Sequence, residues 1–367
     1  MSPARTSVWR YYRFATVAAL VVYGLVVIYA AAIHDWGALP IVGMLAVVEI
    51  SLSFDNALVN SIYVQRLSPE WQARFLRYGI LIAVVGMRLL FPVIVISLSN
   101  LANPVHVVVT AFTDERAYAA SLQRGHIPLV VFGGVYLLQI FLAFFLGTEK
   151  DVTWLVWLER PLERVGRMTE AIELIVSGAA AVAVAVLAAV WSTRAVSVVV
   201  AGASSIALFQ VIGFIGGKLE GGTEEDEAGA PSTKAQLRNL TGRAAAFTFL
   251  YLELQDAMFS FDSVLGAFAF TLLMVLVMAG LGIGALYVRS MTIHLVETGA
   301  LAKLRYLGNG AFWAIGILAF SMWFGFPDYV TGGVSVLLIL AAVGHSGLAN
   351  QREGLGFFSA TGEVVST

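Results

Sequence analysis

The sequence predicts an all-α membrane protein: one polytopic bundle of about ten transmembrane helices over residues 1–367. Hydrophobic residues make up 59% of the chain and charged residues 13%, against about 45–50% and about 25% in soluble domains. The mean hydropathy is correspondingly high, at +0.84. In addition, the apolar residues are gathered into runs that approach the roughly 20 residues needed to cross a bilayer.

Ten apolar runs are candidate spans, and two of them carry acidic residues in their middles. The uncharged runs are 14–33, 89–103, 127–148, 174–193, 195–217, 264–288, 306–327 and 329–347. The acid-bearing runs are 39–64 and 244–265. The first run is longer than the apolar core of a signal peptide, about 7–15 residues, so we interpret it as a membrane helix, with a cleaved leader as the alternative.

Charge and cysteine content exclude several classes of protein. The positive charges of the 22 Lys and Arg residues nearly cancel the negative charges of the 24 Asp and Glu residues. The sequence has no stripe of basic residues of the kind that binds nucleic acid. The absence of cysteine excludes disulfides, thiolate metal sites and cysteine nucleophiles. Lys and Arg are concentrated in alternate loops, which predicts that both termini lie in the cytoplasm. We expect the membrane to be the bacterial plasma membrane. Segment 218–243 is interpreted as a polar cytoplasmic linker, and segment 149–170 as an interfacial amphipathic helix.

A short acidic motif occurs once in each acid-bearing run. The first copy consists of Glu49, Ser53, Phe54, Asp55 and Asn56, and the second, at the same spacing, of Asp256, Ser260, Phe261, Asp262 and Ser263. Each copy is followed by an arginine, Arg88 or Arg289. In the predicted topology the copies cross the membrane in opposite directions, which is the inverted repeat that places substrate sites near the midplane of many transporters.

Helix geometry makes a prediction for the backbone of each copy. The first acid and the serine four residues later lie on one stripe of a helix, but the aspartate two residues further on lies about 120° around it. The acids therefore converge only if the helix is broken or unwound at Ser-Phe-Asp, or else each aspartate faces a neighbouring helix. An unwound backbone would add carbonyl oxygens as ligands.

Acids within a span are functional candidates because each costs at least about 2.5–3.5 kcal/mol to insert. The predicted ion site consists of Glu49, Asp55, Asn56, Asp256, Asp262 and Ser263, with Glu253, Ser53, Ser260, Arg88 and Arg289 as secondary candidates. Such oxygen ligands suit hard cations such as Mn²⁺, Mg²⁺ and Ca²⁺. Alternatively, the acids form buried ion pairs with the two arginines and only fix helix packing.

The two motifs resemble the signature helices of the TerC family of integral membrane proteins. The family patterns Glu…Leu-Ser-x-Asp-Asn and Glu-x-x-Asp-x-x-Phe-x-x-Asp-Ser match Glu49…Leu52-Ser53-Phe54-Asp55-Asn56 and Glu253…Asp256…Phe259…Asp262-Ser263. Members are named for tellurium resistance, and several are implicated in manganese efflux. The resemblance implies that the motif residues form the ion site. Val264-Leu265-Gly266 stands where the family usually has Ile-Pro-Ala, which indicates a divergent subfamily.

From these observations we expect a secondary transporter that exports a divalent cation in exchange for protons, with Mn²⁺ favoured and Ca²⁺ as the alternative. We expect no enzymatic activity and no tightly bound cofactor. An aspartyl intramembrane protease would use paired acids, but its Gly-x-Gly-Asp context is missing from the sequence. The expected partners are the bilayer and the cation, not nucleic acid. The alternative function is a non-transporting scaffold of a metal or tellurite stress-response complex, as a homo-oligomer or with a soluble stress-protein partner.

Overall fold

A computed structural model of the chain describes residues 9–100, 102–147, 152–168, 171–219, 240–268, 270–354 and 356. Over these residues the chain is almost wholly helical and contains no β-strand. Positions 220–239 of the predicted linker lie outside the described residues.

The helices follow one another with short connections. They are α1 Trp9–Ile33, α2 Ala38–Leu52, α3 Phe54–Val64, α4 Pro69–Leu81, α5 Phe91–Asn100, α6 Pro104–Thr113, α7 Glu115–Leu146, α8 Val156–Arg167, α9 Ile172–Val190, α10 Ala195–Leu219, α11 Gly242–Ala267, α12 Met274–Glu297, α13 Ala300–Lys303, α14 Leu307–Phe324 and α15 Asp328–Arg352. A π-helical segment, Ile82–Leu90, joins α4 to α5, and a 3₁₀ turn, Ser192–Arg194, joins α9 to α10.

The long apolar helices confirm that this is an integral membrane protein built as a helical bundle. Among the described residues, seven helices are long and apolar enough to span a membrane: α1, α7, α9, α10, α12, α14 and α15. Two bent pairs raise the number to nine, namely α2 with α3, bent by 54°, and Pro69–Gly79 with Val84–Ile94, bent by 47°. Helix α11 has 26 residues but carries the acids of the second motif. The ten predicted runs overlap these nine segments and α11.

Burial separates central helices from peripheral ones. The apolar part of α7 is 83% buried and that of α12 is 72% buried, whereas those of α1, α9 and α10 are 17–22% buried. A helix that is apolar on all sides is stable both in the centre of the bundle and at its periphery, because the membrane surrounds the peripheral helices with apolar lipid. The motif helices α2, α3 and α11 lie against the central α12.

Glycines allow α12 to approach α2 closely. A Cβ atom on Gly284 would lie 2.5 Å from Cβ of Glu49, and one on Gly280 would lie 2.5 Å from Cβ of Leu45. Small residues at such contacts bring helix backbones together in membranes, where packing drives association. This contact holds Glu49 at the centre of the bundle.

The predicted amphipathic segment 149–170 contains helix α8, which is attached to α14 through Glu159. The Glu159 carboxylate is fully buried and accepts hydrogen bonds from Nδ2 of Asn309 (2.7 Å) and Nε1 of Trp313 (3.1 Å). It also accepts from the backbone N–H groups of Trp154 and Leu155. A carboxylate can accept this many donors because its two oxygens offer about four lone-pair positions.

Candidate functional site: a network of buried acids

The first motif copy is broken, which is the first of the two alternatives that helix geometry left open. Helix α2 ends at Leu52 and α3 begins at Phe54, and Ser53 between them has φ −97° and ψ 16°. The second copy differs, because α11 runs without interruption through positions 260–262. The side chains of Ser260 and Asp262 lie outside the described part of the structure.

Glu49 of the first copy is neutralised by Arg88. The guanidinium Nη2 of Arg88 donates to Oε1 of Glu49, which also accepts from Oγ of Ser53 at 3.2 Å. Arg88 and Glu49 are both 1% exposed. Arg88 lies in the π-helical segment Ile82–Leu90, and π-helical turns often occur at functional sites.

Arg289 of α12 pairs mainly with Glu253, three residues before the second copy, and also with Asp256, the first acid of that copy. Its Nη1 and Nη2 donate to the two carboxylate oxygens of Glu253 at 2.9 and 2.6 Å, and Nη2 also donates to Oδ2 of Asp256 at 3.4 Å. The guanidinium lies 4.5 Å from the ring centroid of Phe75. Gly79 makes room for this pair, since a Cβ there would lie 2.0 Å from Nη1 of Arg289.

Asn56 connects the two copies. Its Nδ2 donates to Oδ1 of Asp256 at 2.5 Å, and its backbone N–H donates to Oδ1 of Asp55 at 2.8 Å. Further along, the hydroxyls of Tyr63 and Tyr251 lie 3.1 Å apart. From the first contact to the second, the residue number rises along α3, from 56 to 63, and falls along α11, from 256 to 251. The two helices therefore run antiparallel here.

Asp55 lines a small cavity beside the break. The cavity has a volume of about 30 Å³ and is lined by Leu52, Ser53, Asp55, Phe259, Ser263, Leu318, Thr331, Gly332 and Ser335. Asp55 is 4% exposed and forms no ion pair with the side chains that the structure describes. The hydroxyl oxygen of Ser335 is buried and has no hydrogen-bond partner there.

The structure therefore brings most of the predicted site residues that it describes into one network. Among the described residues, no three His, Asp or Glu side chains are grouped to hold a metal ion. Four carboxylates, Glu49, Asp55, Glu253 and Asp256, accompany two guanidinium groups, Arg88 and Arg289. The described network thus carries a net charge of −2 when all six groups are ionised. Ser263 lines the cavity, while the side chain of Asp262 lies outside the described part of the structure.

Sequence reasoning missed the contribution of α15. Thr331 and Ser335 line the cavity opposite Asp55, and Oγ1 of Thr331 is hydrogen-bonded to Oγ of Ser321 on α14. The available signal was weak: two hydroxyl residues spaced by one helical turn, with Gly332 between them, at the start of an otherwise apolar helix.

Fold and site together define an integral membrane protein with paired acidic helices at its centre. The chain belongs to the family described as "Protein of unknown function (DUF475)", whose match covers residues 54–353. No curated protein and no solved structure matches the chain. The family match includes the second motif copy and begins within the first, at the residue after the break.

Proposed function

We propose that this protein is a secondary transporter that moves a divalent cation, with Mn²⁺ favoured, in exchange for protons. The observation that carries the proposal is the buried Asp55, which lines a cavity at the break between α2 and α3 together with four hydroxyl residues. Broken helices within the membrane commonly form the ion sites of secondary transporters. Carboxylate and hydroxyl oxygens are hard ligands, which suit Mn²⁺ and Ca²⁺ better than zinc or copper.

The charge of the network supports a cationic substrate. Two arginines balance two of the four described carboxylates, and a cation or protons would neutralise the remaining negative charge. Uncompensated buried carboxylates are costly in an apolar medium, so they take up protons or a cation. Competition between a cation and protons for Asp55 is a simple basis for exchange.

The resemblance of the motifs to the TerC family supports the same substrate, since several of its members are implicated in manganese efflux. The position of the cation differs from the expectation that all motif acids act as ligands. Glu49, Glu253 and Asp256 are engaged with arginines, so we assign them to holding the helices and setting the local charge. Asp55 and the hydroxyls around the cavity are the proposed ligands.

A scaffold that transports nothing is the second candidate. It is favoured by the lack of a three-acid metal group among the described residues and by the ion pairs of the other acids. In that case the acids would only fix the packing of α2, α3 and α11 around α12.

Mn²⁺ uptake into proteoliposomes under an imposed pH gradient separates the two candidates. The proteins compared are the wild type, Asp55→Asn, and Asp35→Asn as a matched control, because Asp35 is exposed and lies in the connection between α1 and α2. We expect proton-linked flux in the wild type and the control, and a loss of about tenfold or more in Asp55→Asn, since one charged contact contributes about 1.5–3 kcal/mol. Full flux in folded Asp55→Asn would refute the assignment. Folded wild-type protein that moves neither Mn²⁺ nor Ca²⁺ would favour the scaffold.

A further inference from the structure

Between the two contacts that join α3 to α11, the helix interface contains polar groups that the acid network does not use. Asn60 is four residues after Asn56 and three before Tyr63, so all three lie on one face of α3. On α11, Gln255 lies one turn from Tyr251 and directly before Asp256. Asn60 is 3% exposed and Gln255 is 0% exposed.

These amides lack hydrogen-bond partners in the described protein. Oδ1 of Asn60 and both Oε1 and Nε2 of Gln255 are buried without a partner. The neighbouring α7 adds two further cases, Oε1 of Gln139 and the hydroxyl of Tyr136. Tyr136 belongs to the same buried cluster as Tyr63. The three atoms of Asn60 and Gln255 lie on two helices in contact and are unusual in a membrane-spanning bundle, because each unsatisfied polar group costs several kcal/mol in a medium without water.

Water is the simplest partner that satisfies all of these atoms. A buried water needs two to four polar partners, and amide and phenol groups offer both donors and acceptors. A ladder of such groups along one helix face, ending at the Asn56–Asp256 hydrogen bond, has the chemistry of a hydrated passage. Charged side chains would hold an ion in place, whereas neutral amides and phenols support water and a passing cation or proton.

We infer that the α3–α11 interface is a water-filled access route, which runs from the Tyr63–Tyr251 end to the acid network. This inference rests on the proposed function, because it supplies the path by which the cation or its counter-proton reaches Asp55. The end of the route that is far from the acid network lies near the connection between α3 and α4. There the backbone N–H of Ser68 donates to the carbonyl of Leu240 (3.0 Å), and the N–H of Leu240 donates to the carbonyl of Arg66 (2.8 Å). These two bonds fix the end of α3 beside the start of α11.

The natural absence of cysteine makes the route directly testable. Asn60→Cys and Gln255→Cys place a thiol on the inferred route, one on each helix. Leu58→Cys and Ala257→Cys are matched controls: both positions are buried, and each lies two residues away from its test position, about 200° around the helix. The four variants are reconstituted into liposomes and exposed to methanethiosulfonate-ethylammonium, a small water-soluble cation that reacts with thiolates.

We expect the thiols at positions 60 and 255 to react at least about tenfold faster than those at positions 58 and 257, because apolar burial suppresses the reactive thiolate. Each rate is normalised to the labelling of the same protein after unfolding in detergent. Equal rates at all four positions, or no labelling at 60 and 255, would overturn the inference. The two test positions are on different helices, so the experiment stays decisive if one variant does not fold.

Labelling is read without any flux, so the result is independent of the transport assay. Selective labelling in a protein that moves no Mn²⁺ would uphold the route and refute the transporter. Proton-linked Mn²⁺ flux with unreactive thiols at both test positions would uphold the transporter and refute the route.

Discussion

The side-chain amide of Asn56 donates to Oδ1 of Asp256 at 2.5 Å, and this bond joins the two copies of the acidic motif across the centre of the bundle. Asp256 is held from its other side by Arg289, while the backbone of Asn56 holds the carboxylate of Asp55. The cavity residue Asp55 is thereby connected to an ion pair on another helix. A substitution in either motif copy should therefore alter the energetic effect of a substitution in the other.

The first prediction concerns this connection. We expect Asn56→Ala and Asp256→Asn to be non-additive in the free energy of unfolding, with a coupling energy of about 0.5–3 kcal/mol, as is usual for residues in one hydrogen-bond network. Chemical denaturation in detergent measures the two single variants and the double variant. Asn56→Ala combined with Thr113→Ala, an exposed position on α6, should instead be additive. Additivity in both cycles would show that the copies are energetically independent.

The second prediction concerns the buried pair of Arg289 with Glu253 and Asp256. Arg289→Met leaves two buried carboxylates without their cation, and the removal of one partner of a buried pair costs about 3–5 kcal/mol. We expect a large fall in the thermal unfolding midpoint. Arg305→Met is the control, because Arg305 pairs with an exposed carboxylate, that of Glu353, and should change the midpoint much less. Similar losses in both variants would contradict a special role for the buried pair.

The third prediction tests the close packing of α12 on α2. Gly284→Ala should lower the free energy of unfolding by about 1–3 kcal/mol, because the new methyl group overpacks the contact with Glu49. Gly344→Ala on α15 has open space around the new Cβ and should be neutral or stabilising by up to about 1 kcal/mol, as expected where alanine replaces glycine in a helix. The same change at two helical glycines thus has opposite signs. Two neutral outcomes would place α12 further from α2 than the structure does.

The sequence predicts the membrane helices well because their apolar runs reflect a simple physical requirement. For the acidic motif it leaves two alternatives open, a break at Ser-Phe-Asp or an aspartate that faces a neighbouring helix, because Glu49 and Asp55 cannot share a face of an unbroken helix. It does not predict the difference between the copies. Both have the same Ser-Phe-Asp spacing, but only the first is broken, and spacing within one helix carries no information about its neighbours.

The partners of the acids depend on such neighbours. The sequence places Arg88 and Arg289 after the two motifs and leaves ion pairing open as an alternative to a cation site. Which acid each arginine reaches depends on the crossing of α12 and the π-helical segment with the motif helices. For the same reason the role of Ser335 is not evident from the sequence, since serines are common in membrane helices and its place in the same cavity as Asp55 follows from the packing of α15.

The fourth prediction concerns the attachment of α8. Glu159→Gln replaces a charged acceptor of four hydrogen bonds with an amide that has one acceptor oxygen. We expect a loss of about 1.5–3 kcal/mol in the free energy of unfolding, the usual contribution of hydrogen bonds to a charged group. The fluorescence of Trp313 should change as well, because its indole N–H donates to this carboxylate. Arg167→Ala, at a largely exposed position on the same helix, is the control. A stable variant with unchanged fluorescence would show that α8 is held by other contacts.

The fifth prediction separates binding from stability at the cavity. Oγ of Ser335 is buried without a partner, so Ser335→Ala should change the free energy of unfolding by no more than about 0.5 kcal/mol. If this oxygen is a cation ligand, the variant should bind Mn²⁺ about two- to tenfold more weakly, which corresponds to the usual 0.5–1.5 kcal/mol of one polar contact. Ser205→Ala on α10 is a close control, because its hydroxyl is also buried without a partner but does not line the cavity. Calorimetric titration of the detergent-purified proteins with Mn²⁺ measures the difference. Equal affinities of the two variants would remove Ser335 from the ligand set and leave Asp55 without its partner on α15.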